Sequence, residues 1–182
     1  MAKFKGIRWS YWIPLLFLAA LCALFVRSFL LVPLEIEGNS MEPTLHSRQK
    51  VIVQNFGSIQ RFDVVIIKMP DGNTYIKRVI GMPGDRIAYH NDRLYINGDH
   101  IKENFLKRVI RQEPNQTYTS DFSLKELTGL SRVPTRQYFV LGDNRRISKD
   151  SRTFGTVKAS WITGRALIVY WPIIDLKKIG KN

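Results

Sequence analysis

Ser40 and Lys77 are the residues of this sequence whose types and settings could carry covalent chemistry. Ser40 stands in GNSMEPTL, residues 38–45, between a glycine and a proline–threonine turn. A serine hydroxyl is a weak nucleophile at its own pKa and needs a base to take its proton. Histidine is the usual base, but His46, His90 and His100 have no acidic partner evident in the sequence. TYIKRVI, residues 74–80, offers another. On a strand Tyr75, Lys77 and Val79 face one way and Ile76, Arg78 and Ile80 the other, so whichever face is buried carries one cation. A guanidinium keeps its proton in a protein, whereas desolvation lowers the pKa of an ammonium and can turn a lysine into a general base. A third stretch, LGDNRRISKDSR at residues 141–152, combines a Gly142-Asp143-Asn144 turn with many short hydrogen-bonding side chains, as a loop bracing a neighbouring site would. Each stretch alone has a plainer reading: a loop serine, a lysine snorkelling to solvent, a solvated loop.

The elements that must position these residues read as strands. VIVQNF, RFDVVIIKM, TYIKRVI, RIAYH, RLYING, RQYFVLGD and WITGRALIVYW are short, β-branched and aromatic, and are separated by turn residues. Met69-Pro70-Asp71-Gly72-Asn73 predicts a hairpin, and Asn97-Gly98 another turn. One weak helical patch lies around Asp121 to Leu127, within a polar, poorly patterned stretch over 102–136 that reads as an insertion. The class expected is mainly β and antiparallel.

Before the strands, a basic start, MAKFKGIR, leads into residues 9–26, which carry no charge. At about 1.5 Å per residue they would span about 27 Å, enough for a bilayer core. Trp9, Tyr11 and Trp12 cluster at the basic end like an interfacial aromatic belt. The length favours a retained anchor over a cleaved leader, as does the lack of a clear small-x-small cleavage site after it. The expected organisation is a cytoplasmic N-terminus at 1–8, a single transmembrane helix at 9–30 and an extracytoplasmic β-rich catalytic domain at 31–182. The chain has 182 residues, 45% of them hydrophobic, and a formal charge of +13, which calls for an anionic partner or surface. Its single cysteine, Cys22, lies in the apolar run and excludes an intrachain disulfide. No HExxH motif or paired Cys/His spacing suggests a metal site, and no cofactor is expected.

Taken together, SMEPTL, YIKRVIGMPGD and GDNRRISKDSR, in this order after an apolar N-terminal segment, resemble the bacterial type I signal peptidases, and the form resembles Gram-positive members. The similarity runs from about Arg27 to Pro172 and is weakest over 102–136. The resemblance implies a membrane-bound serine–lysine endopeptidase that removes signal peptides from exported preproteins after Ala-x-Ala sites. It also implies two antiparallel β-sheet regions following the anchor. By motif position Ser40 would be the nucleophile and Lys77 the general base, with Met41, Pro43 and Leu45 completing the nucleophile motif. Ser148 falls where a hydroxyl orients the lysine, Asp150 and Arg152 match a supporting ion pair, and Asp143 and Arg145 the preceding turn. Leu34, Ile36 and Ile76 fall beside the apolar pockets for small substrate side chains. Gly38 replaces a serine that in some members helps bind the oxyanion. It can offer only a backbone N–H, so the second donor beside the Ser40 N–H stays open.

The partners implied are secretory preproteins as substrate and membrane phospholipid, with no nucleic acid. Tethering supports a membrane-surface site, because six residues from Leu34 to Ser40 reach at most roughly 20 Å. Two other readings compete: a self-cleaving Ser–Lys repressor, which would explain the charge through DNA, and a non-enzymatic membrane-anchored β domain. No helix-turn-helix pattern precedes Ser40, against the first. The second has no need of Ser40, Lys77 and the 142–152 loop together.

Overall fold

A computed structural model describes residues 12–21, 31–112 and 116–180. Helix α1 covers residues 12–21. Among the described residues no helix is long and apolar enough to cross a membrane, and the rest of the anchor expected at 9–30 lies outside them.

From Leu31 onward the chain is mainly β, in two antiparallel sheets. The larger contains β1 (Leu31–Glu35), β2 (Lys50–Gln54), β3 (Val64–Lys68), β4 (Thr74–Gly81), β9 (Gln137–Leu141), β10 (Val157–Lys158) and β11 (Ile162–Trp171). Its strand order is β1-β2-β11-β3-β4-β9-β10, with β12 (Lys177–Lys178) paired to β11. The smaller sheet has the order β7-β6-β5-β8, from β5 (Ile87–His90), β6 (Arg93–Ile96), β7 (Asp99–Ile101) and β8 (Phe122–Ser123). The seven runs read as strands correspond to β2, β3, β4, β5, β6, β9 and β11.

The burial patterns explain this order. Strand β2 alternates half-buried and buried residues, as a strand with one wet face should, whereas Val64, Val65, Ile66 and Ile67 of β3 are all buried between β11 and β4. The β3–β4 hairpin closes at the expected turn, where Met69 N–H donates to Asn73 O (2.9 Å). Ile80, Phe139 and Leu141 of the larger sheet share one core with Ile87, Tyr89, Leu94, Ile96 and Phe122 of the smaller, which fixes the two sheets face to face.

The stretch 102–136 is structured. It holds a 3-10 turn at Asn104–Leu106, helix α2 (Lys107–Gln112), strand β8 and helix α3 (Leu124–Thr128). Helix α3 lies at the helical patch read from sequence, opened by a Ser123–Glu126 capping box and closed by Gly129. Strand β1 went unread because its residues continue the apolar run of the expected anchor. Its pairing, Leu31 to Glu35 against Gln54 to Lys50, becomes visible only with β2 beside it.

Candidate active site

The nucleophile segment is nailed down on either side of Ser40. Ile36, Met41 and Leu45 are all buried in one core cluster with Val51, Val53 and Val64. Three apolar side chains pointing inward leave the short stretch between them looped outward, with Ser40 half-buried at its edge. Gly38 has φ +79°, a left-handed conformation that a serine there would adopt only with strain. Leu45 N–H donates to Met41 O (2.9 Å) and Glu42 N–H to Asn39 O (3.2 Å), winding the motif into a compact turn.

Lys77 is brought to this turn by β4, where it pairs opposite Val65 of β3. Its Nζ lies 2.7 Å from Ser40 Oγ, and the residue is only 2% exposed. Burial pushes its pKa down from 10.5 to about 8, while the negative charges of Asp150 and Asp143 pull the other way. Loss of hydration wins because neither carboxylate is hydrogen-bonded to Lys77; both are engaged by arginines.

The expectation of one buried cation on β4 is corrected here: Lys77 and Arg78 are both buried. Their fates differ because one charge is matched and the other is not. Arg78 makes a two-pronged pair with Asp143, at 2.8 Å and 2.6 Å, donates to Phe62 O (2.8 Å) and Gly180 O (3.0 Å), and stacks on the Phe105 ring at 3.9 Å. The planar guanidinium fork matches the carboxylate in this two-pronged geometry. Asp143 also accepts from Thr44 Oγ1, so one carboxylate ties the turn that carries Ser40 to the strand that carries Lys77.

The 142–152 loop braces the pair from the far side. Asn144 N–H donates to Ser40 O (3.0 Å), a direct backbone link to the nucleophile. Asp150 is fully buried, accepts from Gly142 N–H (3.0 Å), and pairs with Arg152 at 2.9 Å and 2.8 Å. It also opens the short helix α4 (Ser151–Phe154) by accepting from Arg152 N–H. Arg145 does not pair with Asp143. Its guanidinium turns to Glu103 (2.6 Å), Tyr89 Oη (2.8 Å) and Thr119 Oγ1 (3.2 Å), and its Nε–H donates to Gly142 O (3.0 Å). Tyr118 Oη donates to Asp143 O (2.8 Å).

Ser148 departs from what the motif implied. Its Oγ is buried and hydrogen-bonds nothing among the described residues, so it does not reach Lys77. It packs instead against Gly142, where an added β-carbon would lie 2.2 Å from Ser148 Oγ and 2.5 Å from Ser40 O. The histidines do find acidic neighbours, Glu42 for His46 (3.5 Å) and Asp121 for His90 (2.6 Å), but on exposed surface and without contact to Ser40.

Arg78, Thr44, Glu103, Tyr118 and Thr119 were missed as site residues. Arg78 and Thr44 lie inside the quoted motifs, where adjacency to Lys77 and Ser40 was the available signal. Glu103, Tyr118 and Thr119 carry no such signal, since only the packing of the small sheet brings them under the loop.

A cleft of about 340 Å³ opens beside the pair, lined by Leu34, Ile36, Gly38, Ser40, Ile76 and Lys77 among others. All three residues read as pocket residues, Leu34, Ile36 and Ile76, therefore converge on it. Both walls offer unpaired backbone. Among the described residues strand β1 is the sheet's edge, and β4 pairs with β9 only from Arg78 onward, leaving Thr74–Lys77 without a strand partner on that side.

Residues 9–171 match the family described as signal peptidase, peptidase S26. The chain is 42% identical over 172 residues to signal peptidase I of Bacillus caldolyticus, with 92% of each chain covered. It is 34% identical over 174 residues to signal peptidase IB of Staphylococcus aureus, with 91% of each covered. A crystal structure of a signal peptidase I from Enterococcus faecalis superimposes with a TM-score of 0.57 at 43% identity, covering 60% of this chain and 97% of that one. A family match over residues 9–171, with relatives at 34% and 42% identity over most of the chain, places it: the chain belongs to the peptidase S26 family of signal peptidases.

Proposed function

We propose that this peptidase cleaves N-terminal signal peptides from exported preproteins, after small-x-small sites, by a Ser40–Lys77 dyad. The observation that carries this reading is the 2.7 Å approach of Ser40 Oγ to a buried Lys77 Nζ at the edge of an apolar cleft. Neutral Lys77 takes the Ser40 proton as Oγ attacks the scissile carbonyl, and the carbonyl π electrons move onto its oxygen. The Ser40 N–H, which donates to no backbone or side-chain acceptor among the described residues, would hold that oxyanion, and the Gly38 N–H is the candidate for a second donor. Collapse of the intermediate breaks the C–N bond, and the Lys77 ammonium protonates the leaving amine. Water, deprotonated by the same lysine, then attacks the ester and releases Ser40.

The two free backbone edges suit an extended peptide lying between residues 34–38 and 74–77, with its small side chains against Leu34, Ile36 and Ile76. The membrane assignment, a single span with the catalytic body outside and held to phospholipid, rests on the uncharged run 9–26 and the +13 charge. Exposed Trp171, Ile173, Ile174 and Leu176 add an apolar fringe.

Ser40→Ala and Lys77→Ala should each abolish processing of a preprotein bearing an Ala-x-Ala site, followed by mobility shift on a gel. Lys77→Arg should be equally inactive, because a guanidinium cannot serve as the base. Retained activity in any of the three would overturn the dyad.

A further inference from the structure

The segment after the last long strand, residues 172–180, grips both halves of the dyad from behind. Its first grip is Asp175, whose Oδ2 accepts from Gln49 Nε2 at 2.7 Å. Gln49 is 2% exposed and clasps the nucleophile loop at each end. Its backbone O accepts from Ile36 N–H (2.8 Å), before Ser40, and its Oε1 accepts from His46 N–H (3.0 Å), after it. The second grip is the Gly180 carbonyl, which accepts from Arg78 at 3.0 Å, one residue beyond the base. Between the two grips, β12 pairs with β11, Ile179 N–H donates to Leu167 O (2.8 Å), and the Ile179 side chain packs on the cluster of Ile36, Met41 and Leu45.

We propose that residues 172–180 form a positioning strap for the catalytic pair, with Asp175 acting through Gln49 and Gly180 through Arg78. This rests on the Ser40–Lys77 reading. Sheet pairing alone does not demand these contacts, since β2 already pairs with β1 and β11, and β4 with β3 and β9. The strap instead acts where the sheet does not reach: on the loop that carries Ser40 and on the arginine whose carboxylate partner holds Thr44. A small displacement of a nucleophile from its base costs rate rather than binding.

The test compares full-length variants on a signal-peptide substrate, measuring kcat, KM, the pH midpoint of kcat and thermal melting. Asp175→Leu should lower kcat about tenfold or more with KM within about twofold, and should move the pH midpoint upward as the lysine pocket loosens. Asp175→Asn should keep near-normal kcat, because its amide oxygen still accepts from Gln49. Lys178→Ala, whose exposed side chain lies in the same strap, should change nothing. Gln49→Glu should be impaired alone, facing a like charge, and recover when combined with Asp175→Asn, whose amide can donate to the new carboxylate. This swap keeps the test decisive if Asp175→Leu fails to fold. A folded Asp175→Leu enzyme with unchanged kcat and pH midpoint would overturn the strap, as would a folded swap that does not recover. Inactive Ser40→Ala and Lys77→Ala variants beside a fully active Asp175→Leu would reject the strap and spare the dyad. Active Ser40→Ala or Lys77→Ala variants would reject the dyad itself.

Discussion

Two adjacent residues of β4, Lys77 and Arg78, are both removed from water and meet different partners. Arg78 meets the Asp143 carboxylate directly, in a two-pronged pair. Lys77 meets a hydroxyl, and burial lowers its pKa from 10.5 to about 8. At pH 7 this leaves about a tenth of the lysine as free amine, about three-hundredfold more than an ordinary side chain would supply. The sign is fixed: the active form is the deprotonated one, so kcat/KM should rise as pH increases through about 8 and level off above it. A rate–pH profile at constant ionic strength checks this, and a flat profile across that range would exclude Lys77 as the base. Residue types narrowed the candidate base, because of the amines and guanidiniums available only a lysine can shed its proton, but each stretch alone kept a plainer reading and the family resemblance gave Ser40 and Lys77 their expected roles. The burial of Arg78 was not legible, since strand alternation places it on the face opposite Lys77 and says nothing of a second buried face.

Among the elements, the 142–152 loop couples most closely to the reaction. Its Gly142 is pinned between Ser148 and the Ser40 carbonyl, with no room for a β-carbon: the Ser40 O would lie 2.5 Å away. Gly142→Ala should therefore push on the nucleophile's own backbone and loosen the Asn144 N–H to Ser40 O bond. We expect a loss of about tenfold to a hundredfold in kcat, against a stability cost of only about 1–3 kcal/mol, the usual range for overpacking. Turnover and thermal melting measured on the same preparation separate the two effects. An equal loss of both would mean that the loop only supports folding. The loop's turn chemistry was readable from Gly142-Asp143-Asn144. Its anchoring was not, because Arg145 is held by Glu103, Tyr89 and Thr119, from three separate parts of the small sheet and its flanks. The polar stretch that begins at 102 thus looks featureless as sequence, yet supplies the acid that neutralises a buried arginine.

For the whole molecule, attachment is the property that remains to be measured. With a charge of +13 the chain could adhere to anionic lipid by electrostatics alone, which salt screens, whereas an apolar span over 9–30 would hold regardless of salt. The full-length protein should sediment with membranes, resist about 1 M salt and be released by detergent; release by salt alone would reject the span. At this scale the sequence by itself determined the β class and seven of the strands, because alternation, β-branching and turn residues are local properties. It also singled out Ser40 and Lys77 as the expected pair, through three motifs in order rather than through either residue type alone. Only the tertiary structure decided that β1 is a strand, that Arg78 rather than Arg145 holds Asp143, that Ser148 leaves Lys77 alone, and that the segment at 172–180 reaches Gln49 and Arg78. The physical reason is common to all four. Each depends on which partner arrives from far along the chain, and burial and hydrogen bonding take their sign from that partner rather than from the residue's neighbours in sequence.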